Sequence, residues 1–159
     1  MRKTSLTVDE EAPLPLLPNN YANLVKAKAV SLGIDPALAC AIAEQESGWN
    51  AWAIRYEPAF YARYVAKQAL TPTEKTARSI SWGLFQTMGE AVREAGYKGD
   101  LAALCDPDTG ITWGLAVFQR KLALANQDVP RALLFWNGGG NPNYATEVLA
   151  RVPKYSNLP

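Results

Sequence analysis

The chain has 159 residues, 48% of them hydrophobic and 19% charged, with a formal net charge of +1. That suits one domain with a sizeable core, and so even a charge balance gives no reason to expect a nucleic-acid partner. Histidine is absent, which removes Ser-His-Asp and Cys-His nucleophile systems and the usual zinc sites and leaves acid-base chemistry to carboxylates, tyrosine or lysine.

In chain order, residues 1–19 read as an N-terminal arm and residues 20–159 as the domain. The arm starts with basic residues, but Asp-Glu-Glu interrupts it and no apolar stretch of about 7 to 15 residues follows, so no secretory leader is expected. No apolar run reaches the roughly 20 residues of a membrane span. Tyr21, Leu24, Val25 and Leu32 place a first helical stripe that ends at Gly33. The next segment, "IDPALACAIAEQESGWN", has Asp35 as N-cap, Pro36 for the first helical position and Gly48 for the left-handed exit. Leu38, Ile42, Gln45 and Glu46 fall at i, i+4, i+7 and i+8, so the Glu46 carboxylate shares the stripe of the large apolar side chains. Glu44 is rotated away by about 200°. Desolvation and the negative end of the helix dipole both disfavour a charged Glu46, so stability gives no reason for its presence.

The aromatic-rich segment from Ala51 to Leu70 could be a helix flanked by loop. Thr71, Pro72 and Glu74 form a capping box for a short helix, and Thr87 with Glu90 forms a second box opening "MGEAVREAGY". Ile111, Gly114, Leu115 and Phe118 mark a long core helix. Asp128, Pro130 and the glycines from Gly138 bound another short one, and Tyr144, Ala145, Val148 and Val152 give the last helical spacing. The expected fold class is all-α, with about seven or eight helices and room for a small hairpin near "SISWGLFQ". Cys40 and Cys105 lack metal-ligand spacing and read as buried free thiols, with a single disulfide as the alternative. No metal or cofactor is expected.

Three segments bear on function. Glu46-Ser47 ends a helix, though a carboxylate there can also cap a neighbouring helix. In "SWGLFQ", Gly83 permits close backbone approach before Gln86, which a packed turn would also explain. In "LLFWNGGGNPNY", Asn137 and the glycines can be a plain helix stop. Together and in this order they resemble the catalytic domain of lytic transglycosylases of the soluble (SLT-like) type, related to goose-type lysozyme. That family shows Glu-Ser at a helix end, then Gly-Leu-Met-Gln, then Ala-Tyr-Asn followed by small residues. Here the segments read Glu46-Ser47, Gly83-Leu84-Phe85-Gln86 and Phe135-Trp136-Asn137-Gly138-Gly139. The likeness runs from about Asn20 to about Val152, and "WNAWAIRYEP", "SWGLFQ" and "GGGNPNYA" look most like phage-associated members.

The chain departs from the pattern twice. Trp136 replaces the tyrosine before the asparagine, so a tyrosine hydroxyl for the acid would have to come from elsewhere, with Tyr144 the candidate. The stretch from Ser47 to Gly83 is also longer than usual, and Arg55, Tyr56 and Tyr64 in it suit a lid or sugar platform, or else a packing layer.

The resemblance implies cleavage of the bond between N-acetylmuramic acid and N-acetylglucosamine in peptidoglycan, without cofactor. Glu46 acts as acid and then as base, the muramic acid 6-hydroxyl attacks the anomeric carbon, and a 1,6-anhydro sugar forms. Ser47, Ser79, Ser81, Gln86, Asn137 and Tyr144 are the candidate substrate-binding or supporting residues. Met88 and Trp82 are candidate groove residues, and Trp113 reads as core. A hydrolase of the same fold would need a second carboxylate to hold water, with Glu57 the candidate. A non-catalytic wall-binding or virion module is the alternative outside enzymes. A monomer is expected, made in the host cytoplasm and acting in the periplasm or cell wall after release or from a virion.

Overall fold

A computed structural model describes the chain from residue 18 to residue 156; the arm expected at residues 1–19 lies outside this span up to residue 17. The fold is mostly helical with a small three-stranded sheet, in agreement with the expected lysozyme-like helical class.

Helix α2 (Pro36–Ser47) runs through the middle of the domain, against α1 (Pro18–Ser31) and the C-terminal helices α8 (Tyr144–Leu149) and α9 (Val152–Ser156). Asp35 starts it by accepting from the amides of Ala37 at 2.7 Å and Leu38 at 3.0 Å, and Gly48 ends it in the left-handed region at φ 57°. The helix is buried beyond the expected stripe, since Ala37, Ala39, Ala41 and Ala43 are covered as well as Leu38 and Ile42. Small side chains allow neighbouring helices to close on several faces of one helix, and α2 is thereby fixed from both sides.

The long helix α6 (Pro107–Leu124) contributes Ile111, Leu115 and Phe118 to the main core, and the short helix α7 (Val129–Asn137) contributes Leu133. Asp106 and Asp128 cap these two helices through the amides of Thr109 and Arg131. Gly114 is required by close contact: a Cβ there would stand 2.8 Å from Cβ and Cγ of Phe85. Gly83 combines φ 67° with a Cβ position 2.3 Å from the Leu104 carbonyl oxygen, which is the close approach expected of "SWGLFQ".

The segment after α2 does not form a simple helix. Ile54–Tyr56 is strand β1, Pro58–Phe60 a single helical turn (α3) and Tyr61–Val65 a π-helical turn. Strands β1, β2 (Ile80–Trp82) and β3 (Thr87–Met88) form an antiparallel sheet with Arg55 opposite Ser81 and Ser81 opposite Met88. Strand alternation puts these three on one face and Ile54, Tyr56, Ile80 and Trp82 on the other. Helix α4 (Pro72–Arg78) begins as expected, with Thr71 Oγ1 accepting from the Glu74 amide at 3.3 Å.

Two expectations are corrected here. Thr87 does not cap α5 (Gly89–Glu94): it is a buried member of β3 whose hydroxyl has no partner, and Glu90 turns to Arg78 instead of reaching back. The final helical spacing is divided between α8 and α9, because Pro153 lacks the amide that would continue α8 and its ring would meet the carbonyl four residues earlier. Trp113 packs in a small second cluster with Tyr97, Leu101, Leu104 and Val117, and is only partly buried. Cys40 and Cys105 are buried free thiols, and burial raises the Cys40 thiol to about 11. No helix among the described residues is long and apolar enough to cross a membrane.

Candidate active site

The last turn of α2 sets Glu46 against the ends of two other helices. From α7, the Trp136 indole N–H donates to Glu46 Oε1 at 2.8 Å; from the start of α8, the Tyr144 hydroxyl donates to the same oxygen at 2.5 Å. The Trp136 ring is held edge-on by Phe118, with centroids 5.7 Å apart, and by Phe85 at 6.5 Å, so its donor is aimed by the core. Tyr144 is 4% exposed. Burial, then the negative charge of Glu46, raises its hydroxyl far above the usual range, so it remains a donor.

Among the described residues no protein group bonds the second carboxyl oxygen, Oε2. A protonated carboxyl keeps one acceptor oxygen and one O–H. With Oε1 receiving two donors, the proton of Glu46 belongs on Oε2. Burial raises the pKa of Glu46; the bonds from Tyr144 and Trp136 and the charge of Arg55 pull the other way, and burial prevails.

The other candidate residues have definite partners. Ser47 Oγ bonds back to the Ala43 carbonyl at 3.3 Å, within its own helix. Ser79 is fully buried and bonds the Lys75 carbonyl at 2.9 Å at the end of α4. Ser81 is buried on the sheet face that carries Arg55 and Met88. Gln86, at φ 44°, donates to the carbonyls of Ala53 at 2.9 Å and Gly83 at 3.0 Å, so its nitrogen braces two backbone segments. Asn137 donates to the Asn141 carbonyl at 3.1 Å across the glycine turn. Of the candidates, only Tyr144 bonds Glu46 directly.

Two features lay beyond the sequence expectations. One is the Trp136 donor, signalled only by the fact that indole, like phenol, carries one hydrogen-bond donor. The other is the link made by Gln45 on α2, which donates to Glu147 Oε2 at 2.9 Å while Asn141 donates to the same oxygen at 3.0 Å. Gln45 had shown itself as a polar residue on an apolar stripe, but its partner lies 102 residues away.

Glu57 is paired to Arg55, with 2.5 Å from Nε to Oε1. Glu44 accepts from Lys154 at 2.8 Å and from the Tyr155 hydroxyl, on the α9 side of α2. Tyr56 and Tyr64 are exposed, so they form no packing layer.

A mostly helical domain with a small sheet and a partly buried glutamate at a helix end defines a lysozyme-like class. The family model described as Transglycosylase SLT domain matches residues 23–155, and the chain belongs to that family. It is thus a peptidoglycan lytic transglycosylase, and its substrate is peptidoglycan. No curated protein and no solved structure matches the chain significantly.

Proposed function

We propose that the protein cleaves the β-1,4 bond between N-acetylmuramic acid and N-acetylglucosamine with Glu46 as its one acid and base, and forms 1,6-anhydro-N-acetylmuramic acid. The observation that carries this is the pair of donors on Glu46 Oε1. They leave Oε2 to hold the proton and present it to the glycosidic oxygen, and burial raises the pKa of the carboxyl above its ordinary value, which favours that acid form.

Once the bond opens, Glu46 is a carboxylate, and the same two donors stabilise it in that state. Oε2 then takes the proton of the muramic acid 6-hydroxyl as that oxygen closes on the anomeric carbon. The carboxylate returns to its acid form, and no water is consumed. A hydrolase would need a second carboxylate to hold water. Glu57 is bound to Arg55, which favours the single-acid route. Asn137, Gln86, Ser47, Ser79 and Ser81 are assigned to holding the sugar or its acetamido group, directly or through the backbone that they brace.

The arm at residues 1–19 and the catalytic unit at residues 20–159 complete the proposal, with a monomer acting on the cell wall. The likeness of "WNAWAIRYEP", "SWGLFQ" and "GGGNPNYA" to phage-associated members supports a role in phage lysis or in a virion, after synthesis in the host cytoplasm.

Glu46→Gln tests the assignment. It should abolish wall lysis, because general acid catalysis contributes about 10² to 10⁴-fold and one residue serves both steps. The variant should melt no lower than the parent: a carboxyl whose pKa is raised by folding costs stability as pH rises above its ordinary range, and an amide carries no such cost. Near-normal clearing of cell walls by the folded variant would refute the assignment.

A further inference from the structure

Arg55 stands in the middle of β1, on the sheet face of Ser81 and Met88. Its side chain is 69% exposed, yet one nitrogen is fixed: Nε meets Glu57 Oε1 at 2.5 Å. Glu57 is in turn held by its amide, which donates to the Ser79 carbonyl at 2.9 Å. Among the described residues no protein acceptor takes either terminal nitrogen of Arg55. Arg93 differs, because both its terminal nitrogens are spent, on Glu74 and on the Tyr97 and Gly99 carbonyls, and Arg78 has one of its two spent on Gln68 and Glu90. Strand β1 is tied to the "SWGLFQ" segment just ahead of Arg55, because the Ala53 carbonyl accepts from the Gly83 amide at 2.8 Å and from the Gln86 side chain at 2.9 Å, and the positive charge of Arg55 pulls the Glu46 pKa down against burial.

An anchored guanidinium with both terminal nitrogens open is a two-pronged donor for a carboxylate. Peptidoglycan carries carboxylates on the 3-O-lactyl branch of each muramyl unit, as the lactyl carboxylate itself where the peptide is missing and on the stem peptide where it is present. Resting on the reading of Glu46 above, we propose that Arg55 is a specificity residue that binds a carboxylate of this branch through its two terminal nitrogens, with Glu57 fixing the angle of the fork. Glu57 is thus the partner of a substrate-reading arginine and holds no water.

The test is made in the Glu46→Gln protein, so that the strands remain uncut. Binding is measured to soluble glycan strands that carry stem peptides, to strands stripped by an amidase so that lactyl carboxylates are free, and to strands whose carboxylates have all been converted to neutral amides. Adding Arg55→Gln should weaken binding by about five- to tenfold on a charged form and by less than about twofold on the neutral strands. A loss confined to peptide-bearing strands identifies the stem peptide as the source. A loss confined to stripped strands identifies the lactyl group, and a loss on both means that either carboxylate reaches the fork. Arg55→Lys keeps the charge but not the fork, and should recover only part of the affinity. Equal weakening on all three strands, or none on any, would overturn the proposal. Failure of the Glu46 reading would show separately, as release of fragments by the Glu46→Gln protein itself.

Discussion

Burial strengthens the hold of Glu46 on its proton, while the Tyr144 hydroxyl and the Trp136 indole favour the ionised form. The net shift of its pKa is upward, so a change that removes a donor must push it further up. Trp136→Phe keeps a ring to pack on Phe118 and Phe85 but loses the N–H. Its pH profile for kcat/KM should therefore have an alkaline limb displaced to higher pH, and its rate should fall several-fold because the carboxylate formed in the first step loses a charge-assisted bond. An unmoved limb would mean that the indole does not bond Glu46 in the working enzyme. Glu46 itself was legible in the sequence, because a carboxylate on an apolar stripe at a helix end has no stabilising purpose. Its surroundings were legible only in part. Tyr144 could be named as a hydroxyl donor once Trp136 was seen to lack one, but the roles of Gln86 and Ser79 as backbone braces depend on carbonyls that no spacing rule locates.

Helices that carry their own start and stop signals were readable one by one. Asp35 with Gly48, and Asp128 with Gly138, bound α2 and α7 as their residue types require. Strand β1 was not readable: it has three residues, all exposed, so no alternation marks it, and its pairing with β2 is non-local. Thr87 shows the same limit in reverse, since a good local cap signal lost to strand pairing and burial. The glycines of the core make the packing testable. Gly114→Ala would drive a methyl group against Phe85, whose ring in turn supports Trp136. Overpacking of this kind costs about 1 to 3 kcal/mol, so denaturant unfolding should show that loss, together with reduced lysis as the Trp136 donor shifts. Unchanged stability would show that the contact between α6 and the "SWGLFQ" turn is looser than these distances indicate.

At the scale of the whole molecule, likeness across nearly the full chain made the domain legible, whereas the charge network that braces its inserted region could not be read from spacing. Glu74 bonds Arg78 and Arg93, each at 2.8 Å, and Arg78 also meets Glu90 at 3.2 Å, joining α4 to α5. The Arg93 bond holds the Glu74 carboxyl at about 2, against burial and with help from Arg78, where 4.5 is ordinary. A depressed carboxylate pKa gives stability that is present above the ordinary value and is lost as pH falls through the folded one. Glu74→Gln should thus melt below the parent at neutral pH, with the gap closing as pH is lowered from 4.5 toward 2. A gap that stays constant over this range would assign the loss to packing and not to charge. The central claim, that one carboxylate serves as both acid and base with the muramic acid 6-hydroxyl as nucleophile, is tested most directly by digesting purified peptidoglycan in water labelled with heavy oxygen and weighing the released sugars. The single-acid route predicts 1,6-anhydromuramoyl ends without label, one water lighter than reducing ends. Labelled reducing ends as the main product would contradict it and would make the enzyme a hydrolase.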